Sequence, residues 1–329
     1  MEEISFDLVG KVLEEDIVSE FDLLLLKKGS ILTEINILLL KKHNYKQINV
    51  SEDVSFKNLY IKHINHIEHL FTNLEEKKNV NIKYWFEEDQ KIVRTVQKND
   101  FFLDQMYKIK SDQSLFRHSV NVGLLSFFLG KLLRYSYKNK LLLWKVGLLH
   151  DIGKLKLRRE LLTKSEKDLT EEEFHEYKRH PETGWSMLNE MKGVNATMLN
   201  GARSHHERID GSGYPRGIKI KYLPIMVQIV SVANKIDKIL MTNDNVFYLV
   251  NTLIEETRAN KLNPAIVIPF VRHILRKNVG KKVVLNDKTT AEILFIFDQE
   301  PSQPLLYLIE TDIFIDSRKY HKLKIVDFA

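Results

Sequence analysis

Imidazole and carboxylate side chains are concentrated in one stretch, residues 205–217. It reads His205-His206-Glu207-Arg208-Ile209-Asp210-Gly211-Ser212-Gly213-Tyr214-Pro215-Arg216-Gly217. These side chains are the usual ligands of divalent transition metals when thiolates are absent. The glycines and the proline indicate irregular backbone that can approach a ligand closely. The stretch is equally typical of a capped helix end followed by a surface turn, so a metal site is predicted only if other segments supply matching ligands.

Three further clusters of ligand-type side chains precede this stretch. His118 leads into an apolar helix, His150-Asp151 ends another apolar run, and His180 lies in a third helical segment. A buried aspartate beside a histidine is costly unless its charge is compensated, and a metal ion does this directly. Together the clusters favour one shared metal site on several helices, with Lys154 as a cation suited to a phosphate oxygen.

The periodicity of apolar side chains predicts the secondary structure around these residues. Residues 98–278 are predicted to be almost entirely helical, which places the ligands at helix ends or on apolar helix faces. We predict a mainly α fold: a helical domain at 98–278, a small α+β module at 1–54 and a β-rich extension at 279–329. Residues 55–97 are predicted to form a helical linker. The apolar stripe of this linker favours a homodimer or an interdomain contact, and His63, His66 and His69 are expected on its solvated flank.

Composition narrows the class of protein. The chain has 329 residues, 43% of them hydrophobic, and no apolar run near the length of a membrane span, so a cytoplasmic protein without a signal peptide is expected. The absence of cysteine excludes disulfides, thiolate nucleophiles and zinc-finger chemistry. The net charge of +6 favours an anionic partner, but no basic run with interleaved aromatic residues points to a nucleic-acid polymer.

The motifs resemble the HD-GYP family, a branch of the HD-superfamily metal-dependent phosphohydrolases. The resemblance rests on His150-Asp151 with Gly153-Lys154, on His180-Pro181 with Gly184, and on the long stretch 205–217. It covers residues 98–278. It implies an HD-type all-helical domain with a bridged centre of two or three metal ions, most often iron or manganese. The implied activity is hydrolysis of cyclic di-GMP to linear pGpG, to GMP, or to both.

Carried over position by position, the resemblance assigns roles to individual residues. The implied metal ligands are His118, His150, Asp151, His180, His205 and His206. Asp151 is expected to bridge two ions and, with Lys154, to act in catalysis. The substrate is expected to contact Lys154, Asp210, Gly213, Tyr214 and Pro215. Glu207, and Asp210 as well, would accept hydrogen bonds that orient an imidazole or the glycine-rich loop. In the expected mechanism, a hydroxide shared by the two ions attacks phosphorus.

Three positions depart from the family pattern. Ser114 stands where members with a third metal have a glutamate, so two ions are predicted. Asn234 replaces an aspartate ligand; its carbonyl can still coordinate, but more weakly. Asn243 replaces an arginine that contacts substrate phosphate. Asn234 and Asn243 leave open a cyclic di-GMP receptor with little or no turnover. An HD phosphohydrolase for another nucleotide is a further alternative.

Overall fold

The computed structural model describes residues 1–51, 54–76, 80–88, 90–99, 102–109, 114–320 and 322–329. These divide into two structural units. The first comprises residues 1–66 and 88–112, and the second residues 67–87 and 113–329. The mainly α fold predicted from the sequence, with a β-rich C-terminal region, is confirmed. The sequence-based domain boundaries stay predictions.

The N-terminal part of the first unit combines short antiparallel strand pairs with one helix. The helix α1 (Glu34–Lys42) begins where Thr33 accepts a hydrogen bond from the Asn36 backbone, while the Asn36 side chain accepts one from the Thr33 backbone. The strands are β1 (Glu2–Glu3), β2 (Val12–Leu13), β3 (Ile17–Val18), β4 (Leu24–Leu26), β5 (Gln47–Ile48) and β6 (Val50–Ser51). They pair as β1 with β5, β2 with β6 and β3 with β4. Buried Leu32, Ile37 and Leu40 help to form their common core.

Helices follow the strand pairs. They are α2 (Val54–Glu75), α3 (Ile82–Glu88), α4 (Gln90–Lys98) and α5 (Phe102–Lys108). The expected solvated flank of α2 is wrong for His63, which is only 1% exposed, although His69 is exposed. Residues spaced by three are displaced by about 60° around a helix at each step. Histidines at this spacing therefore do not share one face, and one of them can be buried while another is exposed.

Helices of 5 to 18 residues follow along the chain in the second unit. They are α6 (Leu115–Leu132), α7 (Tyr137–Leu149), α8 (Arg159–Thr163), α9 (Glu171–Tyr177), α10 (His180–Asn189), α11 (Ala196–Ser204), α12 (Ile225–Leu240), α13 (Val246–Arg258) and α14 (Pro264–Arg276). A short 3₁₀ helix at Ile152–Lys156 follows α7. The side chains of α6 are buried almost all round, which explains why its sequence shows an apolar run rather than one stripe.

Two glycines allow the backbones that carry the metal-ligand candidates to approach closely. A Cβ at Gly147 in α7 would lie 2.7 Å from Gly123 Cα in α6, and one at Gly153 would lie 2.0 Å from the His180 carbonyl oxygen at the start of α10. Only glycine leaves room at such distances. The close contacts fix α6, α7, the 3₁₀ helix and α10 relative to one another.

The C-terminal region forms one antiparallel sheet. Its strands are β7 (Lys282–Leu285), β8 (Thr290–Phe295), β9 (Leu305–Leu308), β10 (Ile313–Asp316) and β11 (Ile325–Phe328). They are arranged in the order β10-β9-β8-β7-β11. Asn251 in α13 donates a hydrogen bond to the Ile325 carbonyl oxygen, so the sheet is tied to the helices of its own unit. Among the described residues, no helix has the length and apolar character needed to cross a membrane.

Candidate metal centre

The predicted metal ligands lie at the ends of helices that converge in the second unit. His118 is in the first turn of α6, His150 caps the C-terminus of α7, and His180 begins α10. His205 caps α11, and His206 follows it. A polar side chain at a helix end disturbs the apolar packing of the rest of the helix very little. The ends of several helices can therefore bring candidate ligands from distant segments together.

Asp151 lies between two sets of imidazoles. Its Oδ2 is 3.2 Å from His118 Nε2 and 3.4 Å from His150 Nε2. Its Oδ1 is 3.1 Å from His180 Nε2 and 3.2 Å from His205 Nε2. Each carboxylate oxygen thus faces its own pair of ring nitrogens, as required of a carboxylate that bridges two metal ions.

Two groups of ligand atoms result, and they share this aspartate. Asp151, His180, His205 and His206 form one, and His118, His150 and Asp151 form the other, with the ligand atoms of each group within 4.8 Å of one another. The carboxylate is fully buried, and of the five histidines only His118 keeps appreciable exposure, at 13% of its side chain. The donors, imidazole and carboxylate, suit iron, manganese, zinc or nickel.

The second ring nitrogen of most of these histidines is held by a backbone carbonyl. His150 Nδ1 lies 2.6 Å from the Gly147 oxygen, and His180 Nδ1 lies 2.7 Å from the Tyr177 oxygen. His205 Nδ1 lies 3.0 Å from the Ala202 oxygen. A carbonyl can only accept, so these contacts place the proton on Nδ1 and leave the Nε2 lone pair, which faces Asp151, in the form that could bind a metal ion.

His118 is held by a carboxylate instead. Its Nδ1 lies 2.6 Å from Asp237 Oδ2, and Asn121 donates a hydrogen bond of 2.8 Å to Asp237 Oδ1. The sequence had not given Asp237 this role. The available signal was its position on α12, three residues after Asn234, but its partner His118 is distant in the chain.

The electrostatic environment favours neutral imidazoles around an ionised Asp151. Burial lowers the pKa of His150, His180 and His206, and it lowers the pKa of His205 to about 3. Burial alone would raise the pKa of Asp151, but Lys154 and the adjacent histidines hold it well below its ordinary value. Neutral imidazole and ionised carboxylate are the forms that bind a metal ion.

His118 differs from the other histidines. Burial opposes its protonation, but hydrogen bonds with Asp151 and Asp237 outweigh burial and raise its pKa above the ordinary value. A cation is therefore favoured between these two carboxylates, whether it is a proton on the ring or a metal ion at Nε2.

Two further polar atoms fit a metal ion. Within the described part of the chain, neither His206 Nε2 nor Asn234 Oδ1 has a hydrogen-bond partner, although both residues are at most 4% exposed. Buried polar atoms are normally paired, because an unpaired one costs about 1–3 kcal/mol. Both atom types coordinate divalent metals, so the residues present fit a metal centre.

Lys154 brings a positive charge next to the bridging carboxylate. Its Nζ lies 2.6 Å from Asp151 Oδ2 and 5.2 Å from the centre of the Tyr177 ring. Burial opposes its charge, but Asp151 outweighs burial and raises the pKa of Lys154. The ammonium group therefore stays charged beside the ligand cluster.

The glycine-rich loop lies against His206. The Tyr214 ring stacks on the His206 ring at 4.3 Å between centroids, and a Cβ at Gly213 would lie 2.4 Å from the His206 carbonyl oxygen. Glu207 is 1% exposed and accepts hydrogen bonds from the backbone N–H groups of Arg216 at 2.8 Å and Ile218 at 3.1 Å. Glu207 thus holds the loop rather than an imidazole.

The remaining predicted positions have plain local roles. Asp210 is exposed and accepts hydrogen bonds from the Ser212 backbone and hydroxyl, and Pro215 follows Tyr214 in the loop. Ser114 accepts a hydrogen bond from the Arg117 backbone and so caps α6. Asn243 accepts one from the Asn245 backbone, beyond the end of α12. Substrate contacts of Asp210 and Pro215 stay predictions.

Comparison with known proteins shows what this region is similar to. Residues 109–242 match the family model described as HD domain. A cyclic di-GMP phosphodiesterase of Pseudomonas aeruginosa is 36% identical over 129 residues, which cover 39% of this chain and 31% of that protein. A 3'3'-cGAMP-specific phosphodiesterase of Vibrio cholerae is 36% identical over 122 residues, which cover 37% of this chain and 28% of that protein.

A solved structure, Bd1817 of Bdellovibrio bacteriovorus, described as an HDG"Y"P protein, shares the fold. Its TM-score is 0.57 at 19% identity, over 84% of this chain and 99% of that one. The HD-domain match includes the segments whose motifs resemble the HD-GYP family, namely His150-Asp151, His180-Pro181 and residues 205–217. The matched segments span less than a third of the two bacterial phosphodiesterases.

Proposed function

We propose that the protein is a metal-dependent phosphodiesterase that hydrolyses cyclic di-GMP to linear pGpG, to GMP, or to both. The observation that carries the proposal is the position of Asp151, with each carboxylate oxygen facing a different pair of imidazole nitrogens. Phosphodiester hydrolysis requires a water-derived nucleophile and positive charge on both sides of phosphorus. Two divalent ions, iron or manganese, would supply both when bound.

The residues of the chain perform the other parts of the reaction. Asp151 joins the two sets of imidazoles, and Asn234 adds a neutral oxygen donor. Lys154 places an ammonium group where a non-bridging phosphate oxygen gains a charge-assisted hydrogen bond. Tyr214 covers His206 and limits the access of bulk water to the ligands, while Glu207 keeps the loop in place.

Cyclic di-GMP is proposed as the substrate because several relatives that match this domain are named cyclic di-GMP phosphodiesterases. Another cyclic dinucleotide is a second candidate, because the Vibrio relative at similar identity is specific for 3'3'-cGAMP. A receptor with weak turnover is a third, since Asn234 is a neutral ligand. The cytoplasmic location and a homodimer through residues 55–97 stay predictions.

The proposal is tested by incubating the purified chain, reconstituted with Fe(II) or Mn(II), with cyclic di-GMP and following the products by chromatography. We expect pGpG or GMP from the wild type and none from Asp151→Ala. Asp287→Ala, in a distant turn of the C-terminal sheet, is the matched control and should retain activity. Tight binding without product would favour the receptor, and faster turnover of 3'3'-cGAMP in competition would reassign the substrate.

A further inference from the structure

A second lysine, Lys238, lies near the candidate metal centre, on another helix than Lys154. Lys238 is on α12, one helical turn after Asn234, so the two side chains share a face of that helix. Burial, His205 and Lys238 lower the pKa of His206, while burial and Lys154 lower the pKa of Lys238 and the charges of Glu166 and Asp151 oppose this. Lys238 therefore belongs to the surroundings of the candidate metal ligands.

Lys238 is paired with Glu166, a residue of the segment between α8 and α9. The Lys238 ammonium group donates a hydrogen bond to Glu166 Oε1, and the Tyr177 hydroxyl donates to the same oxygen at 3.3 Å. The Tyr177 ring in turn contacts Lys154. A continuous path of polar contacts thus connects Asp151, through Lys154, Tyr177 and Glu166, to Lys238.

The two ends of this path differ in exposure. The side chains of Asp151 and Lys154 are 0% and 10% exposed, whereas those of Lys238 and Glu166 are 33% and 40% exposed. Lys154 is thus the inner cation and Lys238 the outer one. An exposed ion pair contributes little to stability, so another anion can replace Glu166 at small cost.

The charges near Lys238 also favour an additional anion. Partial burial and the charge of Lys154 lower the pKa of Lys238, and Glu166 opposes this effect. Conversely, burial alone would raise the pKa of Glu166, but Lys238 and Lys154 lower it overall. A phosphate group between the two lysines would take over the stabilising role of the glutamate.

We infer that Lys238 is a phosphate-contacting residue of the substrate site, and that it exchanges Glu166 for a phosphate oxygen when the substrate binds. The inference rests on the proposed function, in which the substrate is a phosphodiester. A lysine ammonium group is a compact charge with three donors on a flexible stem, so it can turn from one acceptor to another without rearranging α12. Glu166 then acts as a competing anion that limits substrate affinity.

The first test measures the binding of inorganic phosphate to the Mn(II)-reconstituted full chain by calorimetry. Lys238→Met should weaken phosphate binding about tenfold, the loss of one charge-assisted hydrogen bond. Lys235→Met is the matched control, because Lys235 is on the same helix and forms a similar ion pair with Glu256. Its phosphate affinity should stay within about twofold of the wild type.

Glu166→Gln separates this role from a structural one. The glutamine keeps an oxygen for the Tyr177 hydroxyl but removes the competing charge, so phosphate should bind about threefold to tenfold more tightly. If the ion pair only maintained the fold, both variants would weaken phosphate binding. With cyclic di-GMP, Lys238→Met should raise KM with a much smaller change in kcat.

The outcomes separate this inference from the proposed function. Equal phosphate affinities of Lys238→Met and Lys235→Met, or no phosphate binding by the wild type, would overturn the role of Lys238. A wild type that binds phosphate through Lys238 but hydrolyses no cyclic di-GMP would overturn only the proposed function.

Discussion

Asp237 lies 2.6 Å from His118, through Oδ2 and Nδ1, although the two residues are distant in the chain. The contact joins α12 to the first turn of α6 and leaves His118 Nε2 directed at Asp151 Oδ2, 3.2 Å away. The buried Asp237 carboxylate thus orients His118, which is the most exposed of the five candidate histidine ligands.

Asp237→Asn should weaken metal binding at the site formed by His118, His150 and Asp151. The amide can still accept from His118 but carries no charge to raise the basicity of the ring. A loss of about tenfold to a hundredfold in metal affinity is expected. Metal titration of the metal-free variant measures it, and an affinity equal to that of the wild type would show that Asp237 only fills space.

Asn234→Asp should strengthen the metal centre. It converts a buried carbonyl oxygen, which has no hydrogen-bond partner among the described residues, into an anionic ligand, and hard divalent ions prefer carboxylate over amide oxygen. We expect at least about tenfold tighter Mn(II) binding and faster turnover at limiting metal. Asn234→Ala should change metal affinity in the opposite direction. If both variants bind Mn(II) equally, the side chain at 234 is not a ligand.

Glu207→Gln should impair substrate binding and turnover while the metal content stays unchanged. The substitution removes the charge that strengthens two backbone hydrogen bonds to the loop, each worth about 1.5–3 kcal/mol. Glu182→Gln is the control, because Glu182 is a more exposed carboxylate paired with Arg203. Metal analysis alongside kinetics distinguishes the outcomes: a Glu207→Gln protein that loses metal would place Glu207 among the residues that orient the imidazoles.

The metal-free protein should become less stable as the pH falls below about 6.5. Burial lowers the pKa of His205 to about 3, and it lowers the pKa of His150, His180 and His206 as well. In the unfolded chain these groups titrate near 6.5, so between about 3 and 6.5 the unfolded state binds more protons and gains relative stability. The raised pKa of His118 has the opposite effect on the pH dependence of stability, but it concerns one histidine against four.

Urea unfolding of the metal-free chain across this pH range measures the effect. The free energy of unfolding should decrease steadily with falling pH, and His205→Gln should show a shallower decrease. A flat profile between pH 6.5 and pH 4 would mean that these histidines are not buried in their neutral form.

The sequence predicted those parts of the centre that its own motifs contain. His150-Asp151, His180 and His205-His206 lie in contiguous patterns, and the apolar runs beside them indicated helix ends. Sequence motifs cannot show which oxygen of Asp151 faces which pair of histidine rings, and the structure does. That assignment depends on the close packing of α6, α7 and α10 at Gly147 and Gly153.

Contacts between distant segments were not predictable from one sequence. Asp237 had no visible reason to be chosen as the partner of His118, and neither Lys238 nor Glu166 matches a motif. His63 was expected in solvent and is buried, because periodicity locates a stripe but not the depth to which neighbouring elements cover it. The site residues that sequence motifs did not predict are thus those whose role depends on tertiary contacts.

We propose that Asp151 joins two metal sites into one centre that hydrolyses a phosphodiester. The most direct test titrates Mn(II) into the metal-free chain and measures the rate of cyclic di-GMP hydrolysis at each ratio. We expect the rate to reach its plateau at about two equivalents per chain, as for a two-metal site, and Asp151→Ala to give no hydrolysis at any ratio. A plateau at one equivalent, or full activity of Asp151→Ala, would show that Asp151 does not join two metal sites into one catalytic centre.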